Sequence, residues 1–261
     1  MQLSEITPVV LTCNEEPNLT RVLDRLGWAD RVIVLDSFST DTTEAIARSY
    51  PNVAFIQKKF EDHASQWNHA MGLVSQPWIL ALDADYVLGD GFEEEVASSV
   101  VEEGLDAYLA SFRYLIFGKP LRASLYPPRV VLFRRENCHF EKDGHTQVLH
   151  AKGRTASLRA KIDHDDRKPL TRWFNSQDKY ARLEADKLLA LPPAELSLQD
   201  RVRRTIILGP ILVFFYTLLA RQAVLDGWAG WFYTLQRILA ETMLSLRLLE
   251  KKLSAGKIHE R

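Results

Sequence analysis

Up to about residue 90, short apolar runs alternate with stretches whose apolar positions recur at helical spacing. The pattern predicts strands over Ile6–Thr12, Arg31–Asp36, Val53–Gln57 and Trp78–Leu82. Between them it predicts helices over Pro17–Gly27, Thr40–Tyr50 and Ala64–Val74, the second with a Ser/Thr/Asp-rich start suited to capping. Strands and helices alternating in this way imply right-handed crossovers and a mostly parallel sheet covered on both faces, an α/β architecture. Ligands of such sheets bind beyond the carboxyl ends of the strands. Those ends carry Asn14-Glu15-Glu16, Asp36-Ser37-Phe38-Ser39 and Asp83-Ala84-Asp85.

From about 105 to 165 the runs lengthen, as in Ala107–Phe117 and Arg129–Arg135, and are broken by Gly118, Pro120 and Pro127-Pro128. They predict added strands of a mixed sheet that build the acceptor side. From about 169 the pattern is helical, with Pro192-Pro193 separating two segments. The expected organisation is a catalytic domain over 1–168 and a helical, membrane-interfacial or oligomerising region over 169–261. Within the latter, Thr205–Ala220 holds no charge and is bracketed by Arg201, Arg203, Arg204 and Arg221. A transmembrane helix needs about 20 apolar residues, and Gly209-Pro210 interrupts this shorter run. Three readings stand: a buried or oligomer helix, a helix lying in the membrane interface, and a span. Flanking arginines and the later Trp228, Trp231, Phe232 and Tyr233 suit the interface. Leu235, Ile238, Leu239, Met243, Leu246 and Leu249 continue an amphipathic stretch that packs on a neighbouring helix or on lipid.

Charge refines this division. Residues 1–150 carry 13 Lys+Arg against 22 Asp+Glu, whereas 151–261 carry 20 against 12. An acidic first part suits cations; a basic second part suits phosphates or anionic headgroups. No nucleic-acid partner is expected. The two cysteines, Cys13 and Cys138, have neither metal spacing nor a disulfide framework, which fits a reducing cytoplasmic setting. The first residues, Met1-Gln2-Leu3-Ser4-Glu5, lack the basic flank and apolar core of a signal peptide.

Asp83-Ala84-Asp85 follows the fourth apolar run directly. If the strand continues, residues 83 and 85 point to the same side. Paired carboxylates resist joint ionisation unless a cation lies between them, and Mg²⁺ or Mn²⁺ takes oxygen ligands while keeping water and substrate phosphates. The pair is thus a candidate metal-diphosphate site. Asp36, at the end of the second strand, and Asp41 are candidates for accepting hydrogen bonds from a nucleobase imide or ribose hydroxyls. Asp41 serves equally well as a cap of the following helix.

Taken together, Thr12-Cys13-Asn14-Glu15-Glu16, Val34-Leu35-Asp36-Ser37 with Ser39-Thr40-Asp41, and Leu82-Asp83-Ala84-Asp85 resemble the signature of glycosyltransferase family 2, in particular the branch of lipopolysaccharide-core glucosyltransferases. The likeness continues through Gln66-Trp67-Asn68-His69-Ala70, Arg129-Val130-Val131-Leu132-Phe133-Arg134-Arg135 and Leu225-Asp226-Gly227-Trp228-Ala229-Gly230. The resemblance implies a GT-A fold, an inverting reaction and a nucleoside-diphosphate sugar donor, UDP foremost. It implies that Asp36 contacts the base, that Asp83 contacts the ribose or diphosphate, and that Asp85 and Asp83 bind Mn²⁺ or Mg²⁺. Thr12, Asn14 and Glu15 would line the nucleotide pocket; Gln66, Asn68 and Arg134 would serve the donor, with packing or capping as the alternative for Gln66. His164 would add a late metal ligand, and Arg167 or Lys168 would hold the diphosphate; a polar loop is the alternative for this segment.

The chain departs from that branch at Tyr86, where many members have Glu, and at Asp143-Gly144-His145-Thr146-Gln147, where many have a His-Glu pair. An inverting transfer needs a base for the attacking hydroxyl. Asp143, Glu141 and His145 are the candidates. Asp143 is favoured because a glycine turn projects it, and a plain Asp-Gly turn is the alternative. The expected activity is sugar transfer to a lipid-linked saccharide at the cytoplasmic face of the inner membrane. A polyprenyl-phosphate acceptor and a non-catalytic nucleotide- or carbohydrate-binding module are the competing readings.

Overall fold

The computed structural model describes residues 1–99, 103–122, 125–143 and 146–256. In chain order the strands are β1 (Ile6–Thr12), β2 (Val32–Asp36), β3 (Val53–Gln57), β4 (Trp78–Asp83), β5 (Tyr86–Leu88), β6 (Leu105–Ile116), a two-residue β7 (Lys119–Pro120), β8 (Arg129–Arg134), β9 (Cys138–Asp143), β10 (Thr146–Ala151) and β11 (Arg154–His164). The helices are α1 (Leu19–Leu23), α2 (Thr43–Arg48), α3 (His63–Gly72), α4 (Phe92–Ser98), α5 (Leu170–Ala190), α6 (Leu198–Arg204), α7 (Leu208–Phe215) and α8 (Trp228–Ser254). The chain divides into two compact units. One comprises residues 1–118 and 126–168, the other 119–125 and 169–261.

In the first unit the sheet runs in the order β3-β2-β1-β4-β8-β6-β11-β5. β1 pairs in parallel with β2 and β4, and β2 with β3. β8 is antiparallel to both β4 and β6, and β5 is antiparallel to β11. Strand alternation divides the apolar residues between two faces. Val10, Val34, Leu80 and Leu82 join one buried cluster with α1 and α4. Val9, Ile33, Leu35 and Ile79 join a second with Trp67 of α3 and Phe140 of β9. This double coverage makes the parallel strands read as continuous apolar runs. β9 and β10 form a separate antiparallel hairpin, in which Asp143 pairs with Thr146.

The predicted helices are shorter in the fold. α1 ends at Leu23 and α2 begins at Thr43, because polar residues near each end hydrogen-bond as turns instead. Asp41 accepts from the Thr43 backbone N–H at 3.0 Å and from its hydroxyl. α3 starts at a capping box, the Asp62 carboxylate accepting from Ser65 N–H at 2.8 Å.

In the second unit, α5 packs on α8, around Ala181, Ala185, Leu188, Leu244 and Leu248. The uncharged run does not form one long helix. Ile206 lies in the left-handed region at φ +73°, α7 occupies 208–215, and a single π-helical turn fills Tyr216–Ala220. Among the described residues, no helix is long and apolar enough to cross a membrane. The spanning reading of 205–220 is therefore corrected.

Candidate active site

Register brings the predicted polar residues to one edge of the sheet. Thr12 pairs with Asp36, Asp36 with Gln57, and Leu11 with Asp83. The carboxyl ends of β1, β2 and β4 therefore lie together. Asp36 is fully buried. Its Oδ1 accepts from the Thr12 and Ser39 hydroxyls at 2.9 and 2.5 Å, and its Oδ2 from Ser39 N–H at 2.8 Å. Asp36 thus organises the β2–α2 loop. Asn14, at φ 55°, braces the same loop: its N–H donates to Ser39 Oγ, and its Oδ1 accepts from Thr40 N–H, both at 2.6 Å. Gln66 reaches it from α3, donating to Ser37 Oγ at 2.9 Å, while its buried Oε1 has no partner.

β4 stops at Asp83, and Ala84-Asp85 forms a turn before β5. The same-side expectation for residues 83 and 85 assumed that the strand continues through both, and the strand ends at Asp83. The two carboxylates keep different company. Asp85 Oδ2 lies 3.2 Å from His164 Nε2. Burial alone would raise its pKa, but His164 and then Lys168 outweigh that and hold the carboxyl down at about 2. His164 is pushed up in turn: burial opposes its charge, and Asp85 more than compensates. Backbone register places His164 of β11 beside Tyr86 of β5 and Tyr114 of β6. The rings of Tyr86, Tyr114 and Tyr126 surround the imidazole at centroid distances of 5.3, 4.7 and 4.6 Å.

Asp83 shifts in the other direction. Burial and the nearby Asp85 raise its pKa; His63, Arg129 and a hydrogen bond from the Tyr86 hydroxyl offset part of that. Tyr86 is also hydrogen-bonded to Tyr126. Asp83 borders a cavity of about 310 Å³ whose walls include Trp67, Tyr86, Arg129, Phe140 and Gln147.

Lys168 supplies the cation of the Asp85 side. Its Nζ lies 2.7 Å from Glu15 Oε1 and 3.7 Å from Asp166 Oδ1. Burial disfavours its charge, but Asp85 and Glu15 raise its pKa above the usual lysine value. The Glu15 carboxyl, buried under Lys168, is pushed up to about 7 by desolvation against the lysine's attraction. Asn18 links this group onward, donating to Glu15 Oε2 at 2.9 Å and to Asp166 Oδ1 at 3.0 Å.

Several expectations are corrected by position. Arg134 pairs with Trp78 at the amino end of β4, opposite the site, and stacks 4.7 Å over that indole while approaching Asp106 at 3.7 Å. Arg129, at the other end of the same strand, is the arginine near Asp83. Asn68 spends its amide on β9, donating to Phe140 O at 2.8 Å and accepting from Phe140 N–H at 2.9 Å, so it holds the hairpin rather than a donor. Arg167 is committed to Asp165, at 2.7 Å, which also binds Arg21 at 2.9 Å. Of the two basic residues considered for the diphosphate, Lys168 is the one that adjoins Asp85. Asp41 is turned onto the start of α2. Glu141 is exposed on the hairpin and pairs with His150 at 3.1 Å, so it is no base for a hydroxyl in the cavity. Asp143 closes β9, and His145 lies outside the described residues.

Among the described residues no three carboxylate, imidazole or thiol groups form a preformed metal cage. Asp85 and His164 offer an oxygen and a nitrogen donor side by side, and His164 Nδ1 is buried with no hydrogen-bond partner. A partial set of this kind suits Mg²⁺ or Mn²⁺, which complete their shell with water and substrate phosphate.

A parallel sheet with acidic loops at its carboxyl edge, extended by antiparallel strands, defines an α/β architecture of the GT-A type. Residues 8–160 match the Glycosyl transferase family 2 model, and the chain belongs to that family. Among curated relatives, an uncharacterized glycosyltransferase of Rickettsia felis is 32% identical over 109 residues, 41% of this chain and 38% of the relative. The lipopolysaccharide core biosynthesis glycosyltransferase LpsC of Rhizobium meliloti is 29% identical over 93 residues, 34% of each protein. The matched stretches therefore span little more than a third of these relatives. The crystal structure of S. aureus TarS 1–349 in complex with UDP-GlcNAc matches over 100% of this chain and 93% of its own, at 16% identity and a TM-score of 0.51. That likeness bears on the fold.

Proposed function

We propose that this glycosyltransferase moves a sugar, with inversion, from a UDP-sugar to a lipid-linked saccharide of the cell envelope, such as a lipopolysaccharide core, with Mn²⁺ or Mg²⁺ as cofactor. The observation that carries this reading is the convergence of Asp85, His164 and Lys168 at the sheet edge that also holds Thr12 and Asp36. Asp85 and His164 would hold the metal, with Asp83 beside them. A bound divalent ion supplies charge stabilisation for the departing diphosphate. Lys168 adds a second cation there, and Glu15 and Asn18 orient it. The buried Gln66 amide and the Asn14–Ser39 loop form the wall against which the nucleoside packs. Asp143, in the hairpin that borders the cavity, is the proposed base. The test is release of UDP from a panel of UDP-sugars with and without Mn²⁺. Metal-stimulated release, lost in Asp85→Asn, supports the reading; release from none of them contradicts it.

The lipid side of the proposal rests on the second unit. Leu208, Ile211, Leu212, Phe215 and Leu219 recur at helical spacing and are all roughly half-exposed, while Gly209, Thr217 and Leu218 are buried. The apolar face of α7 points outward, the reverse of a soluble amphipathic helix. Trp228 and Trp231 extend it on α8, and Lys119 lies 5.4 Å from the Trp228 ring. Arg201 and Arg204 precede the apolar run and Arg221 ends it. Cations around an exposed apolar and tryptophan-rich face fit an anionic bilayer, at the cytoplasmic face of the inner membrane. Sedimentation with phosphatidylglycerol vesicles, lost in Ile211→Asp/Phe215→Asp, supports this. Failure to sediment, with a stable dimer in light scattering instead, would assign the face to a second copy.

A further inference from the structure

The cavity beside Asp83 has an arginine, Arg129, to which the transfer described above gives no role. Its polar wall includes Asp83, Arg129 and Gln147, and its aromatic wall Trp67, Tyr86 and Phe140. Arg129 is half-buried, and its guanidinium lies 5.0 Å from the centre of the Tyr126 ring. Its Nε is buried with no hydrogen-bond partner, and it forms no ion pair among the described residues. Trp67 is 3% exposed, and its Nε1 is likewise buried without a partner. Both side chains line one cavity, and Arg129 brings its positive charge to that wall.

The lining defines which acceptors suit it. A guanidinium offers parallel N–H donors that match the two oxygens of a carboxylate or phosphate. A neutral sugar hydroxyl would leave Arg129 with the nearby Asp83 but without an ion-pair partner in a partly desolvated place. Aromatic rings pack against the C–H faces of a pyranose, while Asp83, within electrostatic reach of Arg129, suits hydroxyl donors. At about 310 Å³ the space is at the small end of ligand pockets, and suits one sugar unit rather than a chain.

We infer that this cavity binds a single anionic sugar unit, one bearing a carboxylate or phosphate, with Arg129 as the residue that selects it. The inference rests on the glycosyltransferase reading above and narrows its substrate class. The anionic unit has two possible sources, the transferred sugar of the donor or the sugar of the acceptor that faces it.

Calorimetric titrations separate them. On protein loaded with UDP and Mg²⁺, free glucuronate and glucose 6-phosphate are compared with glucose. On protein with Mg²⁺ alone, UDP-glucuronate is compared with UDP-glucose. Preference for the anionic free sugars assigns the site to the acceptor; preference for UDP-glucuronate alone assigns it to the donor. In either arm the expected preference is about tenfold or more, and Arg129→Gln removes it. Arg129→Lys, which keeps the charge but loses the fork, is expected to restore part of it. UDP binding reports that each variant is folded; if Arg129→Gln fails that control, Arg129→Lys carries the test through a reduced preference. Equal affinity for neutral and anionic sugars in both arms, no sugar binding at millimolar concentration, or an unaltered preference in a folded Arg129 variant overturns the inference. If wild type binds UDP but shows no preference, only this inference falls. If it binds no UDP at all, the functional reading falls with it.

Discussion

Asp83 and Asp85 are separated by one alanine, yet their carboxyls are shifted in opposite directions. Beside Asp85 are the His164 imidazole and the Lys168 ammonium, which hold the carboxyl down at about 2. On the Asp83 side are Tyr86, an aromatic wall and the less intimate Arg129, and there burial wins and the pKa rises. The cause is the turn at Ala84, which ends β4 and lets successive acids point to separate partners. The difference teaches that an Asp-X-Asp sequence need not act as one bidentate claw. One acid is held charged beside His164 and Lys168; the other borders a cavity of about 310 Å³.

That contrast can be broken experimentally, beginning with the largest effect. Asp85→Asn removes the ionised partner of His164 and Lys168, and is expected to cut metal-stimulated UDP release roughly a hundredfold or more in a steady-state assay. Asp83→Asn is expected to act mainly through sugar binding, and so to leave more of the affinity for UDP. Equal losses in both variants would erase the distinction. Next, Lys168→Met is expected to weaken UDP binding by about tenfold, since a charge-assisted contact with phosphate is lost. Arg167→Met, whose guanidinium pairs with Asp165, is expected to lower the melting temperature and leave UDP affinity largely intact in the same calorimetric titration.

Asn68→Leu comes third. It leaves the Phe140 N–H and C=O without their partner, and a loss of about 1–3 kcal/mol in urea unfolding is expected, with UDP affinity maintained. The smallest effect is in Glu15. Its carboxyl is held up at about 7, against an ordinary value of 4.5, so between these pH values the native state keeps a proton that the unfolded chain has released. Stability from this group is therefore full below about pH 4.5 and falls as pH rises towards 7. Thermal melts across that range should show a shallower decline for Glu15→Gln than for wild type.

Much of the site could be read from residue order because the sheet is parallel. Apolar runs ending at Thr12, Asp36 and Asp83 had to bring those residues to one edge, and register confirms that they lie together. His164 was legible only through family likeness; it reaches Asp85 because β11 pairs with β5 across a long gap in sequence. The arginine of β8 was misread for a geometric reason. Arg129 and Arg134 bound a six-residue strand antiparallel to β4, so they lie at opposite ends of the sheet, and spacing alone does not say which end faces the acids. Asn68, Arg167 and Asp41 carry polar groups that the fold consumes internally, in hydrogen bonds to Phe140, Asp165 and Thr43. Nothing in their own sequence neighbourhood distinguishes such structural polarity from a ligand contact. In the second unit the uncharged run that contains α7 was plain, but which of its faces turns inward depends on packing partners elsewhere in the chain.

The account turns on Asp85 and Lys168 forming a metal-assisted diphosphate site, and titration of UDP into the protein with and without Mn²⁺ tests it most directly. The expected result is UDP binding that Mn²⁺ tightens, with the metal effect abolished by Asp85→Asn and the affinity reduced by Lys168→Met. UDP affinity indifferent to Mn²⁺ and to both substitutions would contradict it.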